Sequence, residues 1–426
     1  MKIEITDHQR EKGDEILDKY NLGSDIQVLK GAAGVGKTTL AEYIVNNLKG
    51  KTLVSAPTNK AVSVIKSKVS STDNFSTIHS ALKMKPRYLP NGKREFVPMP
   101  RKKEIVFDDL RNIIIDEGSM ISTNIKDWVA EHARNVGARV LYIGDERQLN
   151  PVGELNTPIF HSGYDVSELT EIIRQGEGNP IIELSRNIDQ VFSRIDKRND
   201  VGGYIYNNDK SRVIDTLAEV NGTDELKYLA WTNSEVDDMN RLVRIAIYGS
   251  PARVELAEYL VFDAPYISTK GKILYTTNEE INVETLDIIE QIFDFPVESS
   301  FITGNKKIVK VSLAVYVINK GQKDNANGIL VVHEKSDRDF NKIKFRLMNA
   351  AKARQLEFAD KDAALGQFAQ IKYNHALTIH KSQGSSYEKV IMNVSDMDKN
   401  WQKEEKERLF YTAITRASEL LILYNM

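Results

Sequence analysis

Apolar positions in the first third of the chain fall in short runs separated by stretches with helical spacing. Asp25–Gly31, Lys51–Pro57, Leu110–Glu117 and Ala138–Asp145 each read as a buried strand that ends in a loop. Between them, Thr38–Leu48 and Lys60–Val69 carry the helical period. Strands alternating with helices predict an α/β fold, a parallel sheet covered on both faces. Such sheets bind ligands at the carboxyl ends of their strands, so the loops after these runs are where chemistry is expected.

One segment breaks the alternation. Lys83–Lys103 holds eight Lys or Arg, four prolines and a single acid, Glu95. Asn91-Gly92 in its middle is a hairpin-turn signal, so a small basic β-hairpin is expected to project from the first domain. A second sheet domain is expected from about Glu171, with Glu225–Gly249 reading as strand, turn and helix and Thr232 or Asn233 near the N-cap. From Phe262 to Tyr373 the pattern becomes short strands followed by a charged helical stretch, a β-rich insertion. The expected boundaries are 1–82 with 104–170, the hairpin 83–103, 171–261 with 374–426, and the insertion 262–373. No internal repeat is visible in the sequence.

Composition narrows the class. The chain has 426 residues, 41% hydrophobic and 28% charged, as in an ordinary soluble protein with room for two cores. It has no cysteine, which excludes disulfides and thiolate zinc sites. Its seven histidines lack metal-ligand spacing, and a net charge of −2 leaves only a local basic surface for nucleic acid. No run is long enough to span a membrane and no signal region opens the chain, so a cytoplasmic protein is expected.

The chemistry lies at strand ends. Gly31–Thr39 (GAAGVGKTT) fits a phosphate-binding loop between a strand and a helix. Gly31, Gly34 and Gly36 let backbone N–H groups approach phosphates, Lys37 is expected to reach the β- and γ-phosphates, and Thr38 is expected to ligand Mg²⁺. Ala32, Ala33, Val35 and Thr39 complete the cradle. Asp116 and Glu117 end an apolar strand and suit a Mg²⁺ ligand and a general base. Gln148, in GDERQLNPVG, is placed to orient water or sense the γ-phosphate.

In order, TDHQ, GAAGVGKTT, APTNKAV, STIHSAL, IIIDEGS, GDERQLNPVG, ELTEIIRQ, ALTIHKSQGSSYEKV and LFYTAITRAS resemble the motifs of superfamily 1 helicases. The TIHS and HKSQG forms are similar to the RecD-like 5′-to-3′ branch, superfamily 1B, and to its small phage Dda-type members. The resemblance implies two RecA-like domains, a pin hairpin in the first and an SH3-like β-rich insertion in the second. It implies an ATP-dependent DNA helicase, in phage replication or recombination and in the host cytoplasm if phage-encoded. Gln9 would read adenine, Arg174 and Arg416 would be arginine fingers, and Gln383 and Gly384 would lie near the phosphates. Pro57, Thr58, His79, Thr378 and His380 would contact single-stranded DNA.

In Dda-type helicases the hairpin splits the duplex. Here Tyr88 and Phe96 are the candidates for a wedge or stacking surface, with packing of the hairpin base as the alternative for both. Trp231 reads as core or domain-boundary packing. Single-stranded and forked DNA are the expected partners, with replication or single-strand-binding proteins besides, and the expected functional unit is a monomer. A translocase that displaces proteins without efficient unwinding, and a protein-remodelling P-loop ATPase, remain as alternatives. Gly118, where Ala or Val is familiar, and Asn150, where proline is common, depart from the pattern.

Overall fold

The computed structural model describes residues 5–89, 94–100, 104–171, 178–267, 273–299, 306–321 and 327–425. In the first domain, β1 (Ile26–Gly31), β2 (Thr52–Ala56), β3 (Phe75–Thr77), β6 (Asn112–Ile115), β7 (Arg139–Gly144) and β8 (Asp165–Leu169) form one sheet. Its order is β3-β2-β6-β7-β1-β8, and every pairing is parallel. Successive residues of the central strands point to opposite faces, and both faces are dry. Val28, Ile113, Ile115 and Val140 pack on the helix Thr123–Val136, whereas Leu29, Ile114, Leu141 and Ile143 pack on the helices Asp7–Asn21 and Lys37–Asn47.

Between β3 and β6, β4 (Met84–Tyr88) and β5 (Arg94–Pro98) form the expected basic hairpin. The Asn91-Gly92 turn and the Tyr88 side chain lie outside the described residues. Met84 packs against the first core and Lys83 Nζ donates to the Ile105 carbonyl at 2.8 Å, which anchors the hairpin base. An Arg87–Glu95 ion pair crosses the two strands at 2.6 Å.

The second domain begins with β9 (Lys197–Asn199), β10 (Gly202–Asn207) and β11 (Leu226–Ala230). The insertion follows with β12 (Tyr259–Phe262), β13 (Tyr266–Ile267), β14 (Ile273–Tyr275), β15 (Glu280–Asn282), β16 (Leu286–Ser299), β17 (Lys306–Ile318), β18 (Ile329–Val332) and β19 (Ile371–Tyr373). These pair antiparallel in three small sheets, backed by the helices Asp337–Lys352 and Phe358–Gly366. The chain then returns through β20 (Ala376–Thr378), β21 (Tyr387–Asn393) and β22 (Ala417–Tyr424). The second large sheet runs β20-β11-β21-β22-β10-β9, parallel except for β9.

The two orders match over their first five positions and differ at the last, where β8 is parallel and β9 antiparallel, so the fold contains an internal repeat that was not visible in the sequence. The echo is short: APTN follows β2 and AWTN follows β11, while TIH follows edge strands β3 and β20. The chain is therefore an α/β protein of two RecA-like domains with an insertion in each. Trp231 is half-buried against the second core, as expected. Among the described residues no helix is long and apolar enough to cross a membrane.

Candidate nucleotide site and DNA cleft

Residues 32–36 join β1 to the helix Lys37–Asn47, with Gly34 at φ 83° and Gly36 at φ 75°. A side chain at either position would strain the turn, so the sequence keeps the backbone free to face phosphate. Lys37 Nζ folds back onto the Gly31 and Ala32 carbonyls at 2.7 and 2.9 Å. Gln9 caps the helix Asp7–Asn21 in a capping box with Thr6. Its amide Nε2 donates to the Val35 carbonyl at 3.2 Å, placing it beside the loop.

Asp116 and Glu117 leave β6 at its carboxyl end, and the Glu117 N–H donates to the Asp116 carboxylate at 2.9 Å. Burial pushes both carboxyls upward, and the Asp116 charge lifts Glu117 further. Lys37 opposes the shift in both, and Arg416 opposes it at Glu117. The charge of Arg416, from the far end of the chain, thus reaches Glu117 across the domain boundary. Asp116 and Thr38 offer a carboxylate and a hydroxyl, hard oxygen donors that fit Mg²⁺.

Gly118 is explained by packing. A Cβ there would sit 2.6 Å from Ile159 Cδ1 and 3.1 Å from the Ile143 carbonyl oxygen. Gly118→Ala is expected to lower stability by about 1–3 kcal/mol, the usual cost of overpacking. A denaturant titration checks it; an unchanged midpoint would show that Ile159 yields freely.

Motif GDERQL follows β7 and is clasped from the second domain. Arg408 donates to the Gln148 carbonyl at 2.8 Å and also to that of Glu146. The Leu149 N–H donates to Thr412 Oγ1 at 3.2 Å, and Gln383 donates to the Leu149 carbonyl at 3.3 Å. The Leu149 side chain joins the second domain's core. Gln148 is buried, and its Oε1 has no hydrogen-bond partner among the described residues. A buried acceptor without a partner is costly unless water or ligand completes it, which suits a water-orienting role. Asn150 secures the loop beyond, donating to the Leu155 carbonyl at 2.7 Å and accepting from Thr157 at 2.9 Å.

Arg416 follows the helix Lys403–Ile414 and is 5% exposed. Its guanidinium donates to the Thr412 and Ser385 carbonyls at 3.1 and 2.9 Å. Gly384 has φ 73°, and a Cβ there would meet Ala61 Cβ at 2.9 Å, so the domains touch here backbone to helix. Arg174 lies outside the described residues.

Thr58, Thr77 and Thr378 each cap a short helix at a strand end. Thr58 and Thr378, from different domains, line one cleft of about 270 Å³ with Lys60, Asn233 and Lys381. Pro57 directly precedes Thr58. His79 and His380 occupy matching positions on the one-turn helices after β3 and β20, outside that lining. Sequence reasoning missed Lys60, whose Nζ contacts Asp224 at 3.0 Å and Glu280 at 2.9 Å, tying the first domain to the second and its insertion. It also missed Asn233, whose signal was the APTN and AWTN echo.

Residues 4–202 match the family described as an AAA domain, and residues 373–424 match the UvrD-like helicase C-terminal domain. The chain is 25% identical to the uncharacterized protein R530 of Acanthamoeba polyphaga mimivirus, covering 92% of this chain and 94% of that protein. It is 26% identical to the ATP-dependent DNA helicase dda of Enterobacteria phage T4, covering 91% and 92%. A solved structure of two coordinating Pif1 helicases at forked double-stranded DNA matches with TM-score 0.53 and 17% identity, over 99% of this chain and 92% of that one. The two family matches span more than half of the chain and the T4 match nearly all of it, in the order of the motifs: the chain belongs to the Dda- and Pif1-like superfamily 1B helicases.

Proposed function

We propose that this ATP-dependent DNA helicase moves 5′ to 3′ along single-stranded DNA and separates the duplex ahead of it. One observation supports the reading most strongly. The helix Lys403–Ile414 and Arg416 behind it join the phosphate site, the GDERQL loop and the second domain in one unit. Opening or closing the nucleotide site must therefore shift the two walls of the Thr58–Thr378 cleft.

In this reading Thr38 and Asp116 would hold Mg²⁺, which would supply positive charge to offset that of the phosphates. Lys37 exchanges its loop carbonyls for phosphate. Glu117 takes a proton from water that Gln148 orients as that water bonds to the γ-phosphorus and the bond to the departing diphosphate breaks, and Arg416, with Arg174, neutralises the charge that develops. Gln9 selects adenine, and Gln383 and Gly384 close against the first domain. Pro57, Thr58, His79, Thr378 and His380 hold the strand, the matched positions in the two domains giving two grips. The hairpin is the wedge, with Phe96, 45% exposed on β5, as its leading side chain. Opening each base-pair step costs about 1.4 kcal/mol of stacking, within reach of a wedge driven by ATP.

Single-stranded DNA is expected to stimulate ATP turnover, and Phe96→Ala is expected to keep that stimulation while losing strand separation. Turnover indifferent to DNA would favour a protein-remodelling ATPase. Unwinding that survives Phe96→Ala would take the wedge role from this residue.

A further inference from the structure

Tyr411 lies on the helix Lys403–Ile414, five residues before Arg416, and no motif role accounts for it. Its hydroxyl stands between two groups of the first domain. It accepts the Ala33 N–H of the phosphate loop at 3.0 Å and donates to the Asp145 carboxylate at 2.5 Å. Tyr411 and Asp145 are each 2% exposed. The tyrosine ring lies against the Arg147 guanidinium, 4.3 Å from its centroid. Burial and the Asp145 charge push the phenol upward, so the hydroxyl keeps its proton and remains a donor.

A hydroxyl is the simplest group that can accept from an N–H on one side and donate to a carboxylate on the other. An ionised phosphate oxygen could take the N–H but has no proton to give Asp145, and beside that carboxylate it would repel. Tyr411 and a phosphate oxygen thus compete for one donor. We propose that Tyr411 is a positioning residue whose hydroxyl holds the Ala33 N–H and yields that donor to a phosphate oxygen when a nucleoside triphosphate enters. The helix that then moves carries Arg408 and Thr412, which hold the GDERQL loop, and leads directly to Arg416. Tyr411 reports occupancy of the phosphate loop to the arginine and, through the domain contact, to the DNA cleft. The inference rests on reading Gly31–Thr39 as an ATP site.

The test is Tyr411→Phe, which keeps the ring against Arg147 and removes only the hydroxyl. The dissociation constant of a non-hydrolysable ATP analogue is measured with and without single-stranded DNA. Without DNA the variant is expected to bind about fivefold tighter than wild type, the weight of one hydrogen bond no longer broken on binding. The ratio of affinities with and without DNA should move toward one. A purely structural tyrosine would lower the melting temperature and leave both quantities alone. Unchanged or weaker analogue binding by the folded variant overturns the proposal. Should Tyr411→Phe fail to fold, 3-fluorotyrosine at position 411 keeps the hydroxyl, and its fluorine resonance must shift when the analogue is added. A resonance that does not shift overturns the proposal equally. Failure of the wild-type protein to bind the analogue would instead sink the ATP-site reading.

Discussion

Glu117→Gln is expected to reduce DNA-stimulated ATP hydrolysis by about 10²–10⁴-fold, the range for loss of a general base, while ATP still binds. Glutamine keeps the size of the side chain and removes only the basicity, so kcat should fall with little change in nucleotide affinity. Glu117 sits at φ 52°, directly after Asp116, in a half-buried pocket that lifts its carboxyl above the ordinary range. A base must be ionised to act, so wild-type turnover should be lost as falling pH protonates this carboxyl. An acid limb should be present in the wild-type profile and absent from the residual activity of Glu117→Gln. Near-normal turnover in the variant would remove Glu117 from the chemistry.

Arg416→Ala is expected to cost about 10³–10⁵ in kcat, the range for an arginine finger. The guanidinium is buried and held by the Thr412 and Ser385 carbonyls, which fixes its orientation on the second domain. Its charge reaches Glu117 as well, and removing it should raise that carboxyl further and move the acid limb upward. Arg416→Lys keeps the charge but not the planar fork that holds two carbonyls at once, so it should rescue the acid limb better than it rescues kcat. A surface-like arginine would show neither effect.

The sequence carried what is local. The glycine spacing of Gly31–Thr39, the apolar run ending in Asp116-Glu117 and the alternation of strands and helices each lie within a few residues, and each declares its own geometry. The hairpin was legible for the same reason, from its basic and proline-rich segment. What could not be read depends on partners far apart in the chain. Tyr411 meets Ala33 across 378 residues of chain, and Lys60 meets Glu280 across 220. No periodicity reports such pairs. Leu149 looks like the closing residue of a first-domain loop, yet it is buried in the second domain's core. The repeat of strand order was invisible because parallel strands need only apolar character, which many sequences supply, and only the APTN/AWTN and TIH echoes survive.

The departures at Gly118 and Asn150 belong to the same lesson. Gly118 is small because Ile159 and the Ile143 carbonyl leave no room, and Asn150 replaces the rigidity of proline with two hydrogen bonds. Both lie beside candidate catalytic groups, Gly118 next to Glu117 and Asn150 two residues past Gln148.

Nucleotide-driven motion of the second domain is proposed to move this protein 5′ to 3′ along one DNA strand and to open the duplex ahead. Strand separation on duplexes with a single-stranded tail at only the 5′ or only the 3′ end tests it most directly. ATP-dependent separation from the 5′ tail, with little from the 3′ tail, is the predicted result. Separation from the 3′ tail alone, or from neither, would contradict it.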